Sequence, residues 1–222
     1  MKAHTTALQQ VGAALRANVL PGVMLWCGLA LMLAAYALSP GFQNTLVEWG
    51  ALKAAWGYPF SFLSYVVFAV LVPETLSHAL RRQPWTRRST SDAFYASLVF
   101  GFIGVTVDML YTAQIAMFGE GRDTATMVKK MLVDQFVYSP VSNFAIVALF
   151  AWREGGFKTR ALRQLGTRHY FTQQCLPVLI AMWCIWIPGV LVVYFMPTAL
   201  QFPVASLVLV FWILIFKFVR KG

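Results

Sequence analysis

The chain has 222 residues, 59% apolar, 15% aromatic and only 12% charged, with a mean hydropathy of +0.65. These proportions exclude a soluble globular domain and place the protein among integral membrane proteins. Its 18 Lys and Arg against 8 Asp and Glu give a formal charge of +10, but the basic residues sit in short loops between apolar runs. Membrane topology accounts for that charge, and nothing resembles a base-reading module.

Six apolar segments follow one another, at approximately 19–38, 60–80, 94–118, 131–152, 174–195 and 199–219. Each is about 20 to 25 residues, the length a spanning helix requires. The reading is an all-α, polytopic transmembrane helix bundle: a cytoplasmic tail over 1–18 and a single membrane domain over 19–222. A re-entrant path for 174–195 would leave five spans. The tail has no acidic residue and is too polar for a signal-peptide core. With the N-terminus inside, 14 of the 18 basic residues fall on the inner side, so both termini are predicted to be cytoplasmic.

The first segment has no ionisable residue and reads as a lipid-facing anchor. The stretch after it carries Trp49, Trp56 and Tyr58, rings suited to the headgroup zone, and is predicted to lie along the surface. In the second segment Pro73 and Glu74 are followed by His78 one turn on, on the same face as Glu74. Pro73 frees the Ala69 carbonyl. An unpaired carboxylate at this depth costs about 2.5 to 3.5 kcal/mol, so Glu74 either faces the bundle interior or reaches the inner headgroups together with His78.

The third segment contains Gly101 and Gly104, which permit close helix approach, and Asp108, with Tyr111 and Thr112 on its face. Asp108 is the most deeply placed acid and a candidate functional group, with a structural hydrogen bond as the alternative. The fourth segment carries Asp134, Gln135, Ser139, Pro140, Ser142 and Asn143, polar groups that a plain anchor does not need. On one helix Gln135, Ser139, Ser142 and Asn143 share a face. That face reads as the wall of a hydrated site or as polar packing between helices. The basic stretch from Trp152 to Phe171 suits a surface of anionic lipid. In the fifth segment Trp183 and Trp186 precede Pro188, where a kinked or broken helix is predicted. Tyr194 closes it, and Trp212 lies deep in the sixth. Cys27, Cys175 and Cys184 lie within apolar segments without metal-ligand spacing and are predicted to be free, buried thiols.

From Lys129 to Pro140 the chain resembles the Mpv/PMP family of peroxisomal and mitochondrial inner-membrane proteins. Lys129, Lys130, Asp134, Gln135 and Pro140 match a Lys-Lys start, an Asp-Gln pair and a later Pro. Trp186, Pro188, Tyr194, Pro197 and Trp212 follow in the family's order. The similarity covers about 60–218, with Pro73 and Glu74 standing where the family tends to have a Gly-Asp pair. The resemblance implies channel activity for small solutes, in an organelle inner membrane or, for a distant member, a bacterial inner membrane.

Three functions fit these residues. In a small-solute channel, Glu74, Asp108, Asp134 and Gln135 line a hydrated path, and the breaks at Pro73, Pro140 and Pro188 expose carbonyls. In a proton-coupled carrier, Asp108 or Glu74 is protonated while buried. In a membrane-organising protein the same groups are interhelical hydrogen bonds. No catalytic set, metal site or cofactor motif can be nominated. The expected partners are membrane lipids and a small solute of unassigned identity. Self-association is compatible with the sequence, and nucleic acid is not expected.

Overall fold

The structure, a computed structural model, describes residues 9, 12–13, 16, 19–81, 84–119, 121, 123–163, 165–195 and 198–221. Among these residues every regular element is helical. Among the described residues five helices are long and apolar enough to cross a membrane: Tyr58–Ala79, Arg87–Phe118, Thr124–Glu154, Arg168–Val190 and Leu200–Lys217. The chain is a multi-pass integral membrane protein built as an all-α bundle.

Helix α1 is Val19–Leu38 and α2 is Pro40–Trp56. Ser39 starts α2 by accepting a hydrogen bond from the Phe42 amide, with Pro40 at the first position, where its missing N–H costs nothing. Gly57, at φ 57°, turns the chain into α3. α3 runs as Tyr58–Tyr65, a wide turn over Val66–Leu71, then Val72–Arg81. α4 is Arg87–Phe118, opened by a reciprocal cap between Thr86 and Ser89. α5 comprises Thr124–Val133, a wide turn over Asp134–Tyr138, and Ser139–Glu154. After the short α6, Thr159–Arg163, comes α7: Arg168–Tyr170, a wide turn over Phe171–Cys175, and Leu176–Phe195. α8 is Thr198–Lys221.

Helices α4, α5 and α7 begin six or seven residues before the apolar segments do, because Thr86, Asp123 and Thr167 each cap an amide three residues on. Hydropathy marks where lipid starts, whereas the caps mark where the helix starts. The 32 residues of α4 make a rod about 48 Å long, longer than the roughly 30 Å hydrocarbon core. Its basic first turn projects beyond the apolar layer.

Each wide turn ends two residues before a proline: Pro73, Pro140 and Pro177. In each, the amide just before the proline bonds five residues back: Val72 to Val67, Ser139 to Asp134, Leu176 to Phe171. The inserted residue moves the chain away from the proline ring, which would otherwise meet the carbonyl four residues earlier. Pro188 behaves differently. Of the kink or break predicted there, the break is absent, since α7 is one helix from Leu176 to Phe195 with Pro188 inside it. Arg168–Val190 is long and apolar enough to cross a membrane.

Contacts order the two ends of the bundle. At one end Arg153, near the end of α5, pairs with Asp92 in the first turns of α4 at 2.8 Å and lies over the Tyr95 ring. Lys217, near the end of α8, pairs with Glu74 in the second half of α3. At the other end Gln114 of α4 donates to the Lys130 carbonyl of α5. The main core joins α3, α4, α5, α7 and α8 through residues such as Val70, Phe100, Val147, Ala181 and Ile213. A smaller cluster packs Leu29, Met32 and Leu33 of α1 and Leu46 of α2 on Leu200 and Val204 of α8, leaving most of α1 on the outside as the sequence predicts.

Close approach of α3 and α4 is set by two glycines. A Cβ on Gly101 would lie 2.5 Å from the Phe62 ring, and one on Gly104 would lie 2.6 Å from the Ser61 carbonyl oxygen. All three cysteines are free, but only Cys175 is buried. Cys27 and Cys184 face outward, where an apolar surface is stable against lipid rather than core.

Candidate functional site

The polar residues singled out in the sequence divide into three groups. The first surrounds Asp108. Ser61, on the first turn of α3, donates to Asp108 Oδ2 at 2.6 Å, and Lys53, near the end of α2, places its Nζ 3.5 Å from Oδ1. The Asp108 side chain is 17% exposed and that of Lys53 42%. Each carboxylate oxygen therefore has its own partner, and the charge is balanced locally, as a carboxylate in a membrane bundle requires. Thr112 donates to the Asp108 carbonyl, an intrahelical bond that takes its hydroxyl away from the carboxylate.

Beside this pair lies a cavity of about 80 Å³ lined by Lys53, Ser61, Ser64, Tyr65, Asp108 and Tyr111, with Trp186, Phe202 and Leu209 closing the apolar side. At roughly 30 Å³ per molecule it has room for a few waters. Tyr111 and Lys53 reach the surface, and the aromatic side is part of the bundle. Five helices contribute to it: α2, α3, α4, α7 and α8. Tyr138 shares a hydrogen bond with Thr106 of α4 at 2.7 Å.

The second group sits on the α5 face predicted to be polar. Gln135, Ser139, Ser142 and Asn143 are all buried, so the helical spacing placed them correctly on one inward side. They meet α7 rather than the cavity. Asn143 Nδ2 donates to the Cys175 carbonyl at 3.1 Å, and Trp183 Nε1 donates to the Gln135 carbonyl at 2.8 Å. Both acceptors belong to wide turns, and the Gln135 carbonyl, with Pro140 five residues on, has no helical amide to bond and needs an outside donor. Ser142 bonds back to the Ser139 carbonyl. Pro140, which follows the α5 wide turn, fits the same scheme.

The third group is at the opposite end of α3. Glu74 Oε1 is 2.7 Å from Lys217 Nζ, and Oε2 is 3.9 Å from His78 Nε2. The His78 ring packs against Trp85 at 4.5 Å. Ser61 and Glu74 are separated by 13 positions on α3, about 20 Å along the axis. Between them lie Tyr65, Phe68, Ala69 and Val70, the last two fully buried. Glu74 and Asp108 are thus in separate clusters with packed apolar side chains between.

Of the aromatic residues, Trp186 lines the cavity, Trp183 serves the α5–α7 contact, and Trp212 is buried in the main core against Phe216. Pro188 lies on the outward side of α7 in an apolar groove with Trp26 and Cys184. Pro197 and the Tyr194 side chain lie outside the described residues. Sequence reasoning missed Lys53, Ser61 and Lys217, whose importance arises only from distant partners. It also missed Gln114 and Pro177, although an amide inside the third segment and a proline after Gln173 and Gln174 were visible signals. No protein-family model matches the chain, and neither a curated protein nor a solved structure does.

Proposed function

We propose that this membrane protein transports a small solute, holding it in the cavity beside Asp108 during passage. The observation that carries this reading is the cavity itself: a space for a few waters among five helices, with an acid, a base and the hydroxyls of Ser61, Ser64, Tyr65, Tyr111 and Ser206 on its wall, and with Lys53 and Tyr111 reaching the surface. Polar space of this kind is expensive in a membrane unless it is used. The apolar layer between Asp108 and the Glu74–Lys217 pair favours a carrier that is closed on one side over a pore open throughout. The Lys53 ammonium already balances Asp108, so this reading does not require the proton coupling considered from sequence.

Kinship with the Mpv/PMP family is part of the same proposal and is supported by the ordered match of Lys129, Lys130, Asp134, Gln135 and Pro140. A bacterial or organelle inner membrane is supported by the basic excess on one side. The full-length chain in liposomes tests the transport reading with a panel of small labelled solutes. Saturable uptake of at least one, reduced at least tenfold by Asp108→Asn, is expected. Uptake rising linearly with concentration would favour the channel, and absence of uptake across the panel would reject transport.

One observation favours a purely structural reading for the rest of the polar inventory. Asn143, Trp183, Gln114, Tyr95 and Tyr170 all spend their donors on main-chain carbonyls of a neighbouring element. These residues are assigned to holding helices together rather than to lining a path.

A further inference from the structure

We infer that the Asp108 cavity recognises a compact zwitterion, a molecule carrying an ammonium and a carboxylate a few bonds apart, with glycine as the simplest case. The inference rests on the reading of this cavity as a solute site and specifies its ligand class. Its wall holds one negative and one positive group, Asp108 and Lys53, 3.5 Å apart. A ligand with a single charge would take one of them and leave the other without its counter-ion in a partly buried place, where an uncompensated charge is costly. A ligand with both charges replaces one ion pair by two.

The rest of the wall agrees with that division. Ser61 donates to Asp108 Oδ2 and so fixes the carboxylate with Oδ1 turned towards Lys53 and the cavity. An ammonium entering there meets Oδ1. The Lys53 side chain is nearly half exposed and on the last turns of α2, so it can withdraw outward to admit the ligand while its ammonium keeps the ligand carboxylate. The Tyr65, Phe68 and Trp186 rings line the cavity as well, and an aromatic face within about 6 Å of an ammonium adds attraction. A space of about 80 Å³ beside a pair 3.5 Å apart suits a ligand whose two charges are close together.

Equilibrium dialysis of the detergent-solubilised full chain with radiolabelled glycine tests this, with acetate, methylammonium and glycerol as unlabelled competitors. Saturable glycine binding is expected, with each competitor at least tenfold weaker than unlabelled glycine. Asp108→Asn and Lys53→Met should each weaken glycine binding at least tenfold. Should either single variant fail to fold, the double variant Lys53→Met/Asp108→Asn, which removes both charges together, is expected to bind no glycine. No saturable glycine binding, equal competition by acetate or methylammonium, or glycine binding that survives the double variant would each overturn the inference; the competition series on the unaltered chain decides it even without variants. Uptake of other solutes by liposomes without glycine binding would remove this inference and leave transport standing. Glycine binding without uptake of any solute would reject transport and retain the site.

Discussion

The indole N–H of Trp183 donates to the main-chain carbonyl of Gln135, eight residues before Asn143, whose amide in turn donates to the carbonyl of Cys175, eight residues before Trp183. The two antiparallel helices α5 and α7 thus exchange donors: each supplies a side chain to a main-chain carbonyl within the other's wide turn. Pro140 offers the Gln135 carbonyl no amide, and the Trp183 donor removes the penalty of leaving that carbonyl unpaired in hydrocarbon.

Removing one donor from this exchange should therefore weaken the bundle. Trp183→Phe keeps the ring but deletes the N–H and is expected to lower stability by about 0.6 to 2 kcal/mol, the range for interhelical hydrogen bonds in membranes. Asn143→Leu should cost a similar amount, because its bond to the Cys175 carbonyl is lost. Thermal unfolding in detergent, monitored by circular dichroism, measures both. Wild-type stability in each variant would show the two bonds to be incidental.

The close contact of α3 and α4 makes a second test. Gly104→Ala would press a methyl against the Ser61 carbonyl oxygen, a main-chain atom that cannot rotate away, and should destabilise by about 1 to 3 kcal/mol. Gly50→Ala on α2 has open space around it and should be neutral or stabilising by up to about 1 kcal/mol through helix propensity. The difference between the two, read in one denaturation assay, separates a packing requirement from a general effect of glycine replacement.

At the other end of α3, the Glu74–Lys217 pair is mostly buried, with side chains 16% and 27% exposed. Glu74→Gln leaves the Lys217 ammonium without its counter-charge and is expected to cost about 1.5 to 3 kcal/mol, the range for hydrogen bonds to charged groups. Adding Lys217→Met should recover part of that loss, since a buried pair removed as a unit is cheaper than one that is broken. A double variant less stable than Glu74→Gln alone would contradict this.

Acid sensitivity should appear at the start of α5. Asp123 lies outside the membrane spans and caps the helix by accepting hydrogen bonds from Thr126, which hold its carboxyl below the usual carboxylate range. A depressed folded-state pKa contributes stability that is present above the unfolded value of 3.8 and lost as pH falls through the lower folded value. Hydrogen exchange at residues 124–127 should accelerate in that window relative to the rest of α5. Asp123→Asn keeps a capping oxygen but does not titrate there, so the acceleration should disappear.

The architecture was legible in the sequence to different depths. Runs of apolar residues marked the spanning helices, and the spacing of Gln135, Ser139, Ser142 and Asn143 identified a buried face, because both signals are local and periodic. Gly101 and Gly104 were also readable as points of close approach. Lys53 was not: the moderate polarity of 40–56 fits a surface stretch, and only the folded chain brings that lysine to Asp108. Nor does sequence distinguish Pro73, Pro140 and Pro177, which follow wide turns, from Pro188 and Pro203, which sit inside continuous helices. At Pro140 the carbonyl that the wide turn releases, that of Gln135, is satisfied by Trp183 of a neighbouring helix, a partner the local sequence does not show. A hydrated path lined by Glu74, Asp108, Asp134 and Gln135 is one of the readings the sequence allows, but Glu74 and Asp108 fall in separate clusters, since alike composition does not fix a common location.

The division between a wet Asp108 cavity and a dry α5–α7 contact is the claim on which the functional reading depends. It is tested most directly by alkylation with a water-soluble, membrane-impermeant maleimide. Single cysteines at Ser64, on the cavity wall, and at Ser142, in the buried contact, would be compared in a chain whose native cysteines are replaced. The expected result is reaction at position 64 in the folded protein and protection at position 142 until denaturation. Equal protection at both positions, or equal labelling of both, would contradict it.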